Sequence, residues 1–145
     1  MANPDTDGLK IGDLLSLKSP KWEAFLGAEG ILLDDLFVSS MLQKFGDSIF
    51  CVHLQRQYSA SRELDTFLES YNIEEHGSDE GMKQYQKALE KGRDNEIGLN
   101  DQYMKDKVGQ AVNFGDFIQL YHFKSRKYIV ISEKTNTEKI IIEAK

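Results

Sequence analysis

Covalent staples, membrane segments and metal-ligand clusters are what this sequence has least of. It contains one cysteine, Cys51, and two prolines in 145 residues. A lone cysteine cannot form an intramolecular disulfide, which excludes a cross-linked secreted scaffold and points to a reducing compartment. No apolar run approaches the roughly 18 to 20 residues that cross a bilayer. The opening residues, MANPDTDGLK, lack the basic region and the apolar stretch of a secretory signal. The expectation is a cytosolic chain, or the cytosolic piece of a longer one.

Catalytic and metal-binding signatures are equally scarce. His53, His76 and His122 share no close spacing with each other or with Cys51, so no zinc centre is expected. His53 and His122 lie in strand-like runs and read as structural. Asn3 to Gly8 places oxygen side chains at alternate positions like the start of an EF-hand. Leu14, however, stands where the bidentate Glu of that loop is required, and no helix precedes it. DNEIGLND (94–101) fails because Gly98 falls one position early. There is no phosphate-binding loop, no GxSxG and no Cys–His pairing, and Asp34-Asp35 reads as a turn. The chain is expected to be no enzyme, with no catalytic residue, metal or cofactor.

The charge that is present is unevenly placed. The net charge is −6, and residues 62 to 106 hold twelve acids against six bases, leaving the rest balanced. An acidic middle argues against nucleic-acid binding, which calls for a basic face. Residues 9 to 54 read as four short strands, LKIGDLLSL, KWEAFLG, GILLDDLFV and SIFCVHL, separated by turn signals. The period then changes. Leu64, Phe67, Leu68 and Tyr71 follow helical spacing, with Ser59 or Ser61 as cap and Glu63 near the positive end of the dipole. A second helix is expected from Asp79 to Lys91, capped by Ser78, striped by Met82, Tyr85 and Leu89 and stopped by Gly92. Asn100 would cap a short third turn. After Gly109 the strand pattern returns in FIQLYHF, KYIVIS and EKIIIEA.

The two strand blocks are alike. Gly12-Asp13 matches Gly115-Asp116, and Leu17 matches Leu120. Lys18-Ser19-Pro20-Lys21-Trp22 matches Lys124-Ser125-Arg126-Lys127-Tyr128, with three extra residues before the second turn. Repeated strand units that pack on each other suggest a mainly β fold, a partial β-trefoil with an inserted helical arm. The expected layout is a flexible terminus (1–8), a first lobe (9–58), the arm (59–108) and an incomplete second lobe (109–145).

IGDLLSL (11–17), KFGDSIF (44–50), RQYSA (56–60) and, above all, KVGQAVNFGDFIQLYHFKSRKYIVI (107–131) carry a family resemblance. The chain resembles the amino-terminal, suppressor-like β-trefoil domain of inositol 1,4,5-trisphosphate receptors and ryanodine receptors, whose trefoil is of the MIR-like kind. The resemblance covers most of residues 9 to 143 and implies a helical arm after the first lobe. It implies a regulatory and assembly domain of an intracellular, ligand-gated calcium-release channel, acting through subunit contacts. Inositol trisphosphate would bind elsewhere in such a receptor, so no inositol phosphate is expected on this segment alone. A trefoil barrel needs six strands and about four come from here. The unpaired edges call for a longer polypeptide, a partner or a different closure.

The expected partners are neighbouring channel subunits or other protein surfaces, met by the acidic arm through Glu69, Glu74, Glu75, Asp79 and Glu80. Lys124, Arg126 and Lys127 form a basic turn and a candidate weak phosphate contact, though a solvated hairpin tip explains it as well. Two alternatives stay open: a stand-alone interaction or scaffold module, and a carbohydrate- or phosphoinositide-binding trefoil.

Overall fold

The computed structural model describes residues 8–41, 44–71, 79–132 and 139–143. The chain is mainly β with a helical insertion and divides into two units. One holds the residues up to Gln55 and those from Val108 onward; the other runs from Arg56 to Lys107.

The β unit contains two antiparallel sheets. One has three strands: β2 (Lys18–Ser19), β3 (Ala24–Ala28) and β4 (Leu36–Ser39). The other has five, in the order β1 (Leu14–Leu15), β5 (Phe50–Leu54), β6 (Ile118–His122), β7 (Lys127–Ser132) and β8 (Lys139–Glu143). A 3-10 turn, Phe45–Ser48, precedes β5. β5 lies between β1 and β6, and its Phe50 and Val52 are fully buried, each contributing roughly 1.5–3 kcal/mol by leaving water. Ile11, Ala28 and Tyr128 complete the apolar interior around them.

The repeat is real in the backbone, with the register of the Gly-Asp and Leu17–Leu120 matches, but that register does not carry the Lys-Ser match at the hairpin tips. Gly12 (φ 93°) and Gly115 (φ 97°) both occupy the left-handed region, where a side chain is strained. The Asp that follows closes the same turn in each copy. Asp13 Oδ2 accepts the Lys10 amide at 2.8 Å, and Asp116 Oδ2 accepts the Asn113 amide at 2.7 Å. Two further left-handed residues, Glu23 (φ 48°) and Arg126 (φ 57°), end the two hairpin turns. Lys18 pairs with Phe25 and Tyr121 with Tyr128. Every one of these correspondences is n to n + 103, with no insertion. The match of Lys18-Ser19-x-Lys with Lys124-Ser125-x-Lys is therefore incidental. Lys18-Ser19 is strand β2, whereas Lys124-Ser125 lies in the turn. Even the third strands agree within one residue, since Leu26 pairs with Val38 and Ile129 with Ile142.

Two strand expectations are corrected. LKIGDLLSL does not form one strand, because β1 and β2 belong to different sheets, with Ser16 and Leu17 between them. In GILLDDLFV only Leu36–Ser39 overlaps a strand. The apolar residues Ile31, Leu32 and Leu33 are exposed, because the Glu29 side chain captures the amides that a ladder would use.

Among the described residues, the helical unit is a hairpin of α1 (Ser59–Ser70) and α2 (Glu80–Lys107). Leu64 and Phe67 are buried, and Phe67 stacks on Tyr71 and meets Tyr85 edge-on at 5.3 Å. Leu68 faces solvent, so the expected stripe is narrower by one residue. Gly92 does not stop a helix and Asn100 does not cap one: α2 continues through both for 28 residues, about 42 Å at 1.5 Å per residue. A helix-interior glycine costs only about 1 kcal/mol, which packing against α1 offsets. DNEIGLND accordingly lies inside α2. Asp79 Oδ1 caps α2 by accepting the Gly81 amide at 2.9 Å and the Met82 amide at 3.4 Å, while Ser78 lies outside the described residues.

Candidate interaction surfaces

In the β unit, a polar cluster fixes three loops against the core. Gly27 allows it to form. A Cβ there would stand 2.9 Å from two ring atoms of Phe37 and 3.0 Å from the Asp47 carbonyl oxygen. Because that space is empty, the 3-10 turn settles onto β3 and aims the Asp47 carbonyl at β6. His122, fully buried, reaches it with Nε2 at 3.1 Å. A carbonyl can only accept, so Nε2 carries the proton and Nδ1 accepts the Ser125 hydroxyl at 2.7 Å. Burial pushes the His122 imidazole below its ordinary pKa, against the contrary pull of the Asp47 carbonyl and carboxylate. One neutral ring thus ties the β6–β7 turn to the 3-10 turn.

Charges complete the tie. Lys124 Nζ bonds Asp47 Oδ1 at 2.6 Å and lies 3.9 Å from Glu29 Oε1; Lys127 Nζ bonds Asp34 Oδ1 at 2.6 Å. Of the candidate phosphate contacts, Lys124 and Lys127 thus each face a carboxylate. Arg126 is exposed in the left-handed position of the turn. The three cations share one hairpin, but two are directed towards protein anions.

Glu29 organises the exposed loop after β3. Its Oε2 accepts the amides of Leu32 (2.7 Å), Ile31 (2.8 Å) and Leu33 (3.2 Å). Those three amides, Leu32 first, hold its pKa down to about 2. The carboxylate fills a backbone nest, and the backbone so fixed presents Ile31, Leu32 and Leu33 at 65%, 87% and 62% exposure. Three consecutive exposed aliphatic side chains on a constrained backbone form an apolar knob rather than scattered surface residues.

In the helical unit, α2 clamps the segment that begins α1. Glu96 accepts the Ser59 hydroxyl (2.7 Å) and the amides of Ala60 (2.9 Å) and Ser61 (3.2 Å), capping α1 from another helix. Desolvation raises its pKa, but the hydrogen bonds from Ala60, Ser59 and Ser61 outweigh it and the net shift is downward. Asn100 holds both backbone groups of Gln57, at 2.9 Å and 2.8 Å, and Asp101 pairs with Arg56 at 2.8 Å. Ser59 and Ser61 are therefore donors within α1, not its caps. Glu69 is exposed on α1; Asp79 and Glu80 are exposed at the start of α2; Glu74, Glu75 and His76 lie outside the described residues.

Sequence reasoning missed Glu29, Asp47 and Ser125 as partners, and it missed Glu96, Asn100 and Asp101 as a clamp. The only advance signal for the clamp was their i, i+4, i+5 spacing. Among the described residues no group of three His, Cys, Asp or Glu side chains could hold a metal ion, and no helix is long and apolar enough to cross a membrane. Cys51 is buried with Sγ 3.4 Å from the Gly12 carbonyl, and burial, aided by Asp13, raises its thiol pKa.

Comparison with known proteins bears on what these surfaces serve. The chain is 26% identical over 139 residues to the inositol 1,4,5-trisphosphate receptor itr-1 of Caenorhabditis elegans, an alignment covering 88% of this chain. It spans only 5% of that receptor's length. Residues 5–141 match the family model described as inositol 1,4,5-trisphosphate/ryanodine receptor. A match over nearly the whole β-rich, helix-inserted chain identifies it as a member of the inositol 1,4,5-trisphosphate/ryanodine receptor family, within the family's amino-terminal domain.

Proposed function

We propose that these residues form a regulatory and assembly domain of an intracellular calcium-release channel, working on the cytosolic side through contacts with neighbouring subunits. The observation that carries this reading is the apolar knob, Ile31 to Leu33, held outward by the Glu29 carboxylate. A constrained apolar protrusion fits a pocket on another protein surface, because its backbone is ordered before binding and little entropy remains to be lost. The acidic arm supplies a second contact: exposed Glu69, Asp79 and Glu80 would orient a basic surface and set its rate of approach. The domain performs no chemistry in this reading. With Lys124 and Lys127 facing carboxylates, it also holds no inositol trisphosphate pocket of its own.

The test uses channels that carry this domain with Ile31, Leu32 and Leu33 all replaced by serine, recorded beside the unsubstituted protein. The expected result is a several-fold shift in the inositol trisphosphate concentration that opens the channel, with unchanged conductance. The isolated chain should give no heat with inositol trisphosphate in calorimetry. Stoichiometric binding to the isolated chain, or an unshifted dose response, would overturn the proposal.

A further inference from the structure

Glu29 and Asp34 flank the apolar knob, and both carboxylates are met by cations of one hairpin. Lys124 Nζ lies 3.9 Å from Glu29 Oε1, and Lys127 Nζ bonds Asp34 Oδ1 at 2.6 Å. The knob's own backbone needs neither lysine, because Glu29 Oε2 closes it through the amides of Ile31, Leu32 and Leu33. What the lysines do is fasten that closed loop to the β6–β7 hairpin. The anchorage of the knob therefore depends on whether the hairpin tip stays in place.

The tip is in turn held by His122. Its Nε2 donates to the Asp47 carbonyl at 3.1 Å, its Nδ1 accepts the Ser125 hydroxyl at 2.7 Å, and Lys124 adds the bond to Asp47 Oδ1 at 2.6 Å. The ring has no exposure to solvent, and this burial holds its pKa below the ordinary 6.5. Charged groups face it from several elements. Asp47 of the 3-10 turn and Glu29 of the loop after β3 favour a proton on the ring, whereas Lys124 of its own turn opposes one. Lys127, its register partner on β7, is directed to Asp34, and β5 offers the uncharged Phe50 ring at 5.3 Å. A protonated ring reaches water when the tip lifts from the 3-10 turn. Lifting parts Lys124 from Asp47 and Glu29, and it draws Lys127, which begins β7 directly behind the tip, away from Asp34.

We propose that His122 is a proton-operated latch on the knob: protonation of its imidazole releases the β6–β7 tip and, with it, the lysine anchors at Glu29 and Asp34. Above pH 6.5 the latch is closed. Below it the released state holds one proton more than the latched state. Their ratio then rises by up to about tenfold per pH unit until the folded pKa is reached. Glu29, with a pKa of about 2, stays ionised through this range, so the knob keeps its backbone and loses its anchors. The consequence for partners rests on the knob being the subunit contact: acidification loosens that contact without unfolding the domain.

The test is nuclear magnetic resonance of the isotopically labelled 145-residue chain between pH 7.5 and 5.5. Two amides report the tip: Arg126, bonded to the His122 carbonyl at 2.9 Å, and Phe123, bonded to the Ile49 carbonyl at 3.0 Å. Their protection, corrected for the intrinsic pH dependence of exchange, is expected to fall by up to about tenfold per unit below pH 6.5. Protection at Leu32 should hold, while methyl relaxation dispersion at Ile31, Leu32 and Leu33 grows in step with the tip. His122→Asn should make tip and knob indifferent to pH. Lys124→Met combined with Lys127→Met keeps the imidazole, so the tip should still respond to pH and the knob methyls should not. The wild-type profile decides the matter even where a variant fails to fold. Flat tip protection, knob dispersion indifferent to pH, loss of protection at Leu32 together with the tip, or a response that survives His122→Asn would each overturn the latch. A failed latch beside a shifted dose response in the Ile31–Leu33 serine channels leaves the contact reading standing. A working latch beside an unshifted dose response removes that reading alone.

Discussion

The two hairpins that follow the Gly-Asp turns share a backbone and differ in how their tips are held. In the first, the tip residues Pro20 to Glu23 lie at the surface, and Trp22 is 65% exposed with Lys21 Nζ 5.9 Å from its ring. Lys18 sits 5.6 Å from the Phe25 ring in the same manner. In the second, His122 stands where Ser19 does, and a buried imidazole replaces surface cation–π contacts. His122, which also holds Ser125, and Lys124 then attach the tip to the 3-10 turn. One backbone plan therefore supports two kinds of hairpin, and the difference lies in whether a tip contact is desolvated. Exposed cation–π pairs contribute about 0.5–1 kcal/mol, whereas losing one partner of a buried hydrogen-bonded group costs about 1–3 kcal/mol per orphaned group.

That difference predicts the largest contrast. His122→Ala removes a filled volume and leaves the Asp47 carbonyl and Ser125 hydroxyl without their partner. A loss of about 3–4 kcal/mol in urea unfolding is expected from the cavity and the orphaned acceptor together. The equivalent change in the first copy, Ser19→Ala, should cost less than about 0.5 kcal/mol, as for an ordinary surface position. Equal losses would show that the tips are held alike.

The second contrast concerns the turns themselves. Gly12→Ala and Gly115→Ala both place a Cβ at a left-handed φ, which costs about 1–2 kcal/mol. At Gly12 the new Cβ would also stand 3.3 Å from Val108 Cγ1, whereas at Gly115 nothing lies within 4 Å. Gly12→Ala should be the more destabilising of the pair in the same unfolding experiment. A larger loss at Gly115 would mean that its turn is more closely covered than that of Gly12.

How far these features could be read from sequence follows from what each depends on. The change from strand to helix period after residue 59 was legible, because Leu64 and Phe67 are selected by packing and packing has a period. The repeat was legible in Gly-Asp, where backbone conformation demands glycine and a local side-chain acceptor. It was misaligned at the hairpin tips, where Lys, Ser and Lys recur without conformational meaning and the true equivalents, Glu23 and Arg126, share only a φ angle. Ile31 to Leu33 read as strand because apolarity was taken for burial; what decides their exposure is one carboxylate two residues upstream. Gly92 read as a stop because local propensity was weighed without α1. The Glu96, Asn100 and Asp101 clamp was illegible for the same reason, since each side chain acts on residues roughly 35 to 45 positions away.

Titration separates the two loops that carry the candidate surface. His122 has a folded pKa below the ordinary 6.5, so the neutral form is favoured in the fold. Its contribution to stability is complete above pH 6.5 and is lost as pH falls below that value. Glu29 also has a depressed pKa, about 2 against the ordinary 4.5, so its contribution persists above pH 4.5 and is lost as pH falls towards 2. Unfolding midpoints measured from pH 7.5 to 3 should therefore fall in two stages. His122→Asn should flatten the upper stage. Glu29→Gln should flatten the lower and speed amide exchange at Leu32. A single stage in the wild type would mean that the two loops open together.

The smallest expected effect tests whether surface charge distinguishes the loops. Lys127 and Asp34 pair at 2.6 Å with Asp34 half exposed, and they join the start of β7 to the loop before β4. An exposed pair of this kind contributes about 0–1 kcal/mol and weakens with salt. Asp34→Asn should shift the urea midpoint only slightly, and by less still in 1 M sodium chloride. Lys124 and Asp47 pair at the same distance, but the Asp47 carboxylate is far more enclosed than that of Asp34, 12% exposed against 50%, and the Asp47 carbonyl also serves His122. Asp47→Asn should therefore cost more than Asp34→Asn and resist screening. Were the two losses equal and equally salt-sensitive, the enclosure of the second tip would have no energetic consequence, and the distinction between the hairpins would rest on His122 alone.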